Sequence, residues 1–359
     1  MKKVGVGIIG SQFVAEIHAE SFERVANAEV VAAASPTEAH VREFAKRHGI
    51  PKWFTDYREM LALPEVQMVT IAAPNNLHCQ TVCDAAAAGK HIVCEKPLCR
   101  TMEEADRMIE ACRAAGVRLM YAEELCFTPK YLRAKQLIDA GAIGDVYLVK
   151  QAEKHNGPHS AWFWDVSRSG GGVTLDMGCH AFAFFRWVYD NRPVVAVTAQ
   201  MGTYMHRDKT TGDDDAIIIV EFEGGPRGMA EESWAKLGGM DDKAEFYGTK
   251  GVIFADLLRG NALSTYSEVG YDYAVEKAST TQGWTFTSFE EMWNYGFPQE
   301  MEHFVDCVQH DRQPLVTGED GRVVLEIIFA AYESAAKGKR VELPFRPPKD
   351  AAPCDLWTA

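Results

Sequence analysis

From residue 1 to about 123, short apolar runs alternate with longer stretches of helical spacing. Val4–Ile9 is continuously apolar, as a strand buried on both faces requires. Phe13–Val25 has helical spacing, and Val30–Ala34 is a second apolar run followed by a helical stretch, Glu38–His48. Met68–Ala72, His91–Cys94 and Val117–Tyr121 read as further strands, with helices Asn76–Ala88 and Met102–Ala115 between them. Thr101 with Glu104 three residues on marks the start of the last helix. Gly89 and Gly116 stand just past helix ends, where a left-handed residue is expected. Alternating strand and helix with short loops predicts an α/β Rossmann domain built on a doubly wound parallel sheet over residues 1–123.

After about residue 124 the pattern changes. A helix over Lys130–Ala140 ends at Gly141, Asp145–Glu153 reads as a strand, and a loop rich in His, Trp and Gly follows. Gly172–Tyr189 reads as one helix. From Val194 to about Tyr266 the chain is strand-like, most clearly at Ala216–Phe222 and Arg227–Trp234. Successive strands without intervening helices predict an α+β domain over 124–359 with a mainly antiparallel open sheet. Two helices, Pro298–His310 and Gly318–Lys337, a short strand near Arg340–Leu343 and an irregular proline-rich tail close the chain. The open sheet needs a cover on its second face, so a homo-oligomer is expected.

Composition narrows the class. The chain has 359 residues, 47% hydrophobic and 25% charged, which is ordinary for a globular protein. Its formal charge of −14 repels a phosphate backbone and an anionic bilayer, so neither nucleic acid nor a membrane is an expected partner. No apolar run approaches the ~20 residues of a bilayer span. The N-terminal apolar run is short, glycine-rich and lacks a cleavage site, so it reads as a strand, not a signal peptide. Nine cysteines, with no C-x-x-C, read as a reduced set of small core residues in a cytoplasmic protein. Cys79 and Cys83 lie one helical turn apart, but no second Cys/His pair makes a metal site of them, and no metal is expected.

Gly5–Gly10 matches G-x-G-x-x-G, yet it falls within the first strand, whereas the dinucleotide fingerprint belongs at the strand-to-helix turn. That turn is Gly10-Ser11-Gln12-Phe13-Val14-Ala15. Gly10 makes the bend and Ala15 permits close packing, while Gln12 stands where the middle glycine is expected. The helix N-terminus beyond it offers N–H groups to a pyrophosphate. At the end of the second strand, where a carboxylate holds the ribose, the sequence reads Ala34-Ser35-Pro36-Thr37. No Arg follows directly to clamp a 2′-phosphate, so NAD is expected ahead of NADP.

The fifth strand ends in Cys94-Glu95-Lys96-Pro97, at the sheet edge where ligands bind. Asp176 and His180 stand at i, i+4 spacing on an otherwise apolar helix, which puts both on one face. Loop 154–165 combines His155, Asn156 and His159 with Trp162, Phe163 and Trp164, matching the polar edges and apolar C–H faces of a sugar. The alternative is a surface loop anchored by its tryptophans. Glu123 and Glu124 end the last strand of the first domain.

Gly10–Ala15, Ala73-Pro74-Asn75 with His78, Glu95-Lys96-Pro97 and Asp176-x-x-x-His180 together resemble the Gfo/Idh/MocA family, over nearly the whole chain. The resemblance implies a nicotinamide-dependent oxidoreductase acting on sugars, inositols and related polyols, with Lys96, Asp176 and His180 at the nicotinamide. It places Asn75 and His78 against the cofactor, and with the turn gives a cofactor set of Gly10, Gln12, Phe13, Val14, Ser35, Ala73, Pro74, Asn75, His78, Glu95 and Lys96. The expected substrate set is Lys96, Glu123, His155, His159, Trp162, Trp164, Asp176 and His180. Oxidation of a secondary alcohol needs a base for the hydroxyl proton; the sequence leaves base and electrophile open between Lys96 and His180. Cys126 and Phe127 stand where relatives often carry Arg, which argues against a strongly anionic substrate. The Gly-Pro-His and Trp-Phe-Trp segments resemble members that oxidise a glycoside sugar at C3. The family also implies sheet-to-sheet dimers. Competing readings are an inositol, diol or dicarbonyl enzyme of the same fold, a dinucleotide-binding sensor without turnover, and a metal-dependent hydrolase. The last lacks any recognised ligand spacing.

Overall fold

The computed structural model describes residues 3–258, 262–269, 280–288 and 290–357. The chain forms two compact units: Met1–Phe127 with Gly296–Leu325, and Thr128–Tyr295 with Glu326–Ala359. The first unit is therefore discontinuous, taking in Gly296–Leu325 besides the N-terminal stretch the sequence sets apart. The chain returns to it because the helix Phe297–Gln309 packs on the first helix and first strand, and Thr317 bridges to Met120. A boundary inferred from a change of pattern cannot see such a return.

In the first unit the strands are β1 (Val4–Ile9), β2 (Ala28–Ala34), β3 (Trp53–Phe54), β4 (Met68–Ile71), β5 (His91–Cys94) and β6 (Leu119–Tyr121). They form one parallel sheet in the order β3-β2-β1-β4-β5-β6. Its helices are α1 (Phe13–Phe22), α2 (Glu38–Arg47), α3 (Tyr57–Leu61), α4 (Asn75–Ala87) and α5 (Met102–Ala115). The doubly wound expectation holds. The two-residue β3 carried too few residues to be read from the sequence. Thr101 caps α5 by accepting the Glu104 N–H, 3.1 Å, as the spacing predicts. Ile8, Ala15, Ala33, Val41 and Phe44 form the core between β1, β2 and the first two helices.

In the second unit α6 (Pro129–Asp139) is followed by β7 (Val146–Lys154), α7 (Val166–Ser169), α8 (Val173–Asp176) and α9 (Gly178–Val188). Then come β8 (Val194–Gly202), β9 (Asp215–Phe222), β10 (Arg227–Ser233), β11 (Asp241–Gly248), β12 (Gly251–Asp256), and the hairpin β13 (Ala262–Ser267) and β14 (Gly283–Ser288). α10 (Glu291–Tyr295) precedes α11 (Phe297–Gln309), which belongs to the first unit, and α12 (Gly318–Lys337) runs from the first unit into the second and leads to β15 (Val341–Glu342). The main sheet runs β12-β11-β7-β10-β9-β8-β15. It is antiparallel except for the β7–β10 pair. The expected strand-like stretch to Tyr266 passes through 259–261, which lie outside the described residues. α9 packs its aromatic face on the sheet, with Phe184 against Phe246, ring centroids 5.9 Å apart. No helix among the described residues is long and apolar enough to cross a membrane.

Candidate active site

The phosphate turn sits where the sequence places it. β1 stops at Ile9, Gly10 takes φ 132°, and α1 starts at Phe13. A Cβ on Gly10 would lie 2.3 Å from the Ala72 carbonyl oxygen, so only glycine fits the bend. Gly5, by contrast, is a packing glycine inside β1: its Cβ would meet the Glu65 carbonyl at 1.9 Å. No side chain caps the α1 N-terminus, which leaves its first N–H groups to a ligand. Ser11 donates to Ser35, 2.9 Å, and the Ser35 N–H reaches Phe54 of β3. Gln12 turns outward to His40, 3.3 Å, and Phe13 is exposed. This turn fits a dinucleotide.

At the end of β4, Ala73 and Pro74 lead directly into α4, with Asn75 buried in its first turn. His78 Nε2 faces the Ala73 carbonyl at 2.8 Å, and its Nδ1 faces the Pro97 and Leu98 carbonyls at 3.1 and 3.2 Å. The ring thereby ties α4 to the segment after Lys96. Burial pushes its pKa below the usual histidine value.

Glu95 closes β5 and is almost completely buried. Its Oε2 accepts the Lys96 backbone N–H, 3.0 Å, and its Oε1 lies 2.8 Å from His18 Nε2. The other His18 nitrogen is 2.6 Å from the Thr70 hydroxyl. Burial alone would raise the Glu95 pKa, but the hydrogen bond from His18 and the nearby Lys96 charge outweigh it and hold the carboxyl below its ordinary value. Neither His18 nor Thr70 was singled out in the sequence; a histidine on an amphipathic helix carries no signal of a partner 77 positions away. The Glu123 N–H donates to Glu300 of α11, 2.6 Å. Burial pushes both carboxyls well above the usual range.

In the second unit the single helix expected over Gly172–Tyr189 is broken at Met177, which ends α8 and precedes α9. Asp176 is thus the last residue of α8 and His180 lies in the first turn of α9, both buried. The break corrects the i, i+4 placement on one regular helix. Asp176 Oδ2 accepts the indole N–H of Trp234, 3.2 Å, at the end of β10. Trp234 was missed because it reads as an ordinary core residue.

Loop 154–165 is pinned to the same place. His155 and Gly157 donate their N–H groups to Ser233 and Trp234, extending β7 along β10. His155 Nδ1 faces the Gly157 carbonyl at 2.7 Å, and its ring lies 4.8 Å from that of the half-buried His159. Trp164 packs edge-on to Trp234 at 5.4 Å and beside His206 at 4.8 Å, with the Lys209 ammonium 5.3 Å over its ring. Trp164 therefore anchors the loop. Trp162 stacks on Phe163 at 3.9 Å and remains half-buried.

The comparisons agree with this geometry. Residues 4–123 match an oxidoreductase family's NAD-binding Rossmann fold, and residues 135–343 match its C-terminal alpha/beta domain. The chain is 28% identical to myo-inositol 2-dehydrogenase of Thermotoga maritima over 340 residues, covering 94% of this chain and 98% of that one. Among solved structures it is similar to GenD2 from gentamicin A biosynthesis, determined with NAD: TM-score 0.90, 30% identity, 96% and 97% of the two chains. It is also similar to levoglucosan dehydrogenase in complex with NADH and levoglucosan, with TM-score 0.80, 26% identity, and 96% and 100% coverage. With both of its halves matched, this chain belongs to the Gfo/Idh/MocA family of NAD-dependent oxidoreductases.

Proposed function

We propose that the protein oxidises a secondary hydroxyl of a sugar, glycoside or cyclitol, with Lys96, Asp176 and His180 handling the hydroxyl. The observation that carries the reading is the Asp176–Trp234 hydrogen bond. It fixes a buried carboxylate against an aromatic wall built by Trp234, Trp164 and Phe163. Carboxylates orient hydroxyl groups, and ring faces accept the C–H surface of a sugar. NAD supplies the ring that accepts the hydride. As carbon gives up hydride, the hydroxyl proton passes to a base, and the C–O bond becomes a carbonyl. His180, whose residue type ordinarily titrates at ~6.5 in water, and Lys96 are the candidate acceptors. The one that does not take the proton stabilises the developing negative oxygen.

Support for NAD over NADP comes from the Ser35 end of β2. No Arg follows it, and Glu38 opens α2, where a carboxylate opposes a 2′-phosphate. The finer reading is oxidation of a glycoside sugar at C3, supported by the pinned Gly157-Pro158-His159 and Trp162-Phe163-Trp164 segments. A cyclitol substrate is the second reading, favoured by the myo-inositol dehydrogenase relative.

A panel of levoglucosan, myo-inositol, glucose and an aryl β-glucoside, followed by nicotinamide absorbance, tests the reading. Wild type should turn over at least one, with NAD preferred. NMR of the product then locates the carbonyl, and any position other than C3 rejects the finer reading. Lys96→Ala and His180→Ala should each lower turnover by ~10²–10⁴ while NAD affinity is kept. A loss below about threefold in both would remove this set from the chemistry.

A further inference from the structure

Lys96 does not leave the sheet edge alone. Three side chains from three neighbouring elements line up behind it: Thr70 on β4, His18 on α1 and Glu95 at the end of β5. With the ring proton on His18 Nε2, every group in the line is satisfied. The Thr70 hydroxyl donates to Nδ1, and Nε2–H donates to Glu95 Oε1. The second carboxylate oxygen takes the backbone N–H of Lys96 itself. Both oxygens of Glu95 are therefore anchored, and the peptide that presents Lys96 is one of the anchors. We infer that Thr70, His18 and Glu95 form a buried positioning relay that holds a fixed negative charge beside Lys96 and so sets the protonation of that lysine during turnover. The inference rests on the reading of Lys96 given above.

The surrounding groups of this unit single out Glu95 as that charge. Glu123, whose carboxyl feels the Lys96 charge, and Glu300 of α11 are both pushed well above the carboxylate range by burial, which favours their protonated forms. His78 on α4 is held toward its neutral form, and the buried Cys94 thiol is pushed up. Glu95 alone of these is held ionised, against the cost of its burial. That cost is the second argument. A buried charged pair is often no better for stability than apolar side chains of the same volume. Three polar side chains sealed behind one lysine are therefore poorly explained by stability. A carboxylate next to an ammonium favours the protonated form, so the relay would keep Lys96 charged to higher pH and leave it suited to stabilising a developing alkoxide.

The test uses the full chain, NAD and whichever panel member wild type oxidises. Glu95→Gln keeps the shape and removes the charge. It should move the pH–rate limb that Lys96→Ala abolishes to lower pH by about one unit, with the NAD dissociation constant within about threefold. His18→Gln should move the limb in the same direction. Thr70→Ser, which keeps the hydroxyl, should restore the wild-type profile where Thr70→Val does not. The pH dependence of Lys96 acylation by an amine reagent, read by mass spectrometry without substrate, should shift in parallel. This second measurement covers any variant too damaged to turn over. If both Glu95→Gln and His18→Gln leave the limb and the acylation midpoint in place, the relay is only structural and the inference fails. If Lys96→Ala itself keeps full turnover, the failure belongs to the parent reading instead.

Discussion

Glu232 on β10 is fully buried, and among the described residues neither of its carboxylate oxygens has a hydrogen-bond partner of ordinary geometry. The register sets it beside Glu153 on β7, which in turn pairs with Asp242 on β11. Three acidic side chains thus share one face of adjacent strands, and Tyr131 donates to Asp242, 3.0 Å. Burial, then the Asp242 charge, pushes the Glu232 carboxyl well above its ordinary value. A group whose folded pKa is raised contributes stability that is complete below its unfolded value, ~4.3, and is lost as pH rises through the folded value. Glu232→Gln cannot ionise. Its melting temperature relative to wild type should therefore climb as pH rises above about 5 and level off once Glu232 ionises in the folded wild type, by roughly 2–4 °C for each kcal/mol recovered. A difference that stays flat with pH would show that Glu232 does not titrate there. A second residue-scale expectation concerns Gly10. Gly10→Ala forces a side chain into the left-handed region and onto the Ala72 carbonyl, a strain of ~1–3 kcal/mol. NAD affinity should fall by about tenfold or more in calorimetry, with the second unit's melting unchanged.

At the scale of elements, α8 shows how a single turn can present a carboxylate. Four residues cannot hold a helix by propagation. Its N-terminus is held from outside. The Asp213 carbonyl takes the Val173 N–H, 2.9 Å, and the Asp213 carboxylate takes the Thr174 N–H, 2.9 Å. Tyr332 of α12 accepts the Gly172 N–H, 2.8 Å, and donates to the same carboxylate. Asp176 is the last residue of this turn. Tyr332→Phe leaves the Gly172 N–H and one Asp213 oxygen unpaired, at ~1–3 kcal/mol each. Turnover should drop by roughly tenfold or more while the KM for NAD holds. Lower stability with unchanged kcat would confine Tyr332 to folding.

At the scale of the molecule, one face of the open sheet carries exposed apolar side chains among the described residues. Ile217 and Ile219 on β9 and Val252 and Phe254 on β12 are exposed on it, all on the side away from α9. We expect a second copy of the chain there. Light scattering at micromolar concentration should give a multiple of the 39.9 kDa chain mass, and Ile219→Lys with Phe254→Lys should reduce it. A monomer mass for wild type would contradict this.

What the sequence determined by itself is what local pattern encodes. Buried parallel strands read as apolar runs, and α5 and α12 match their expected bounds because a cap and helical spacing lie within a few residues. The Gly10 turn was legible for the same reason, since a strand, a bend and a helix start are contiguous. Lys96, Asp176 and His180 were singled out by short local motifs, and their proposed roles came from the family those motifs resemble. Tertiary structure alone decided the rest, because it depends on groups far apart in the chain. The return of Gly296–Leu325 to the first unit is packing between elements separated by some 280 positions, as in the Gln309–Asn27 contact. The short turn before the break at Met177 is held at its start by Asp213 and Tyr332, 39 and 160 positions beyond their partners. Spacing put Asp176 and His180 on one helix; in the structure they are the end of one helix and the first turn of the next. The partners they meet, Trp234 for Asp176 and His18 through Glu95 for the Lys96 backbone, come from strands and helices that join only when the sheets form.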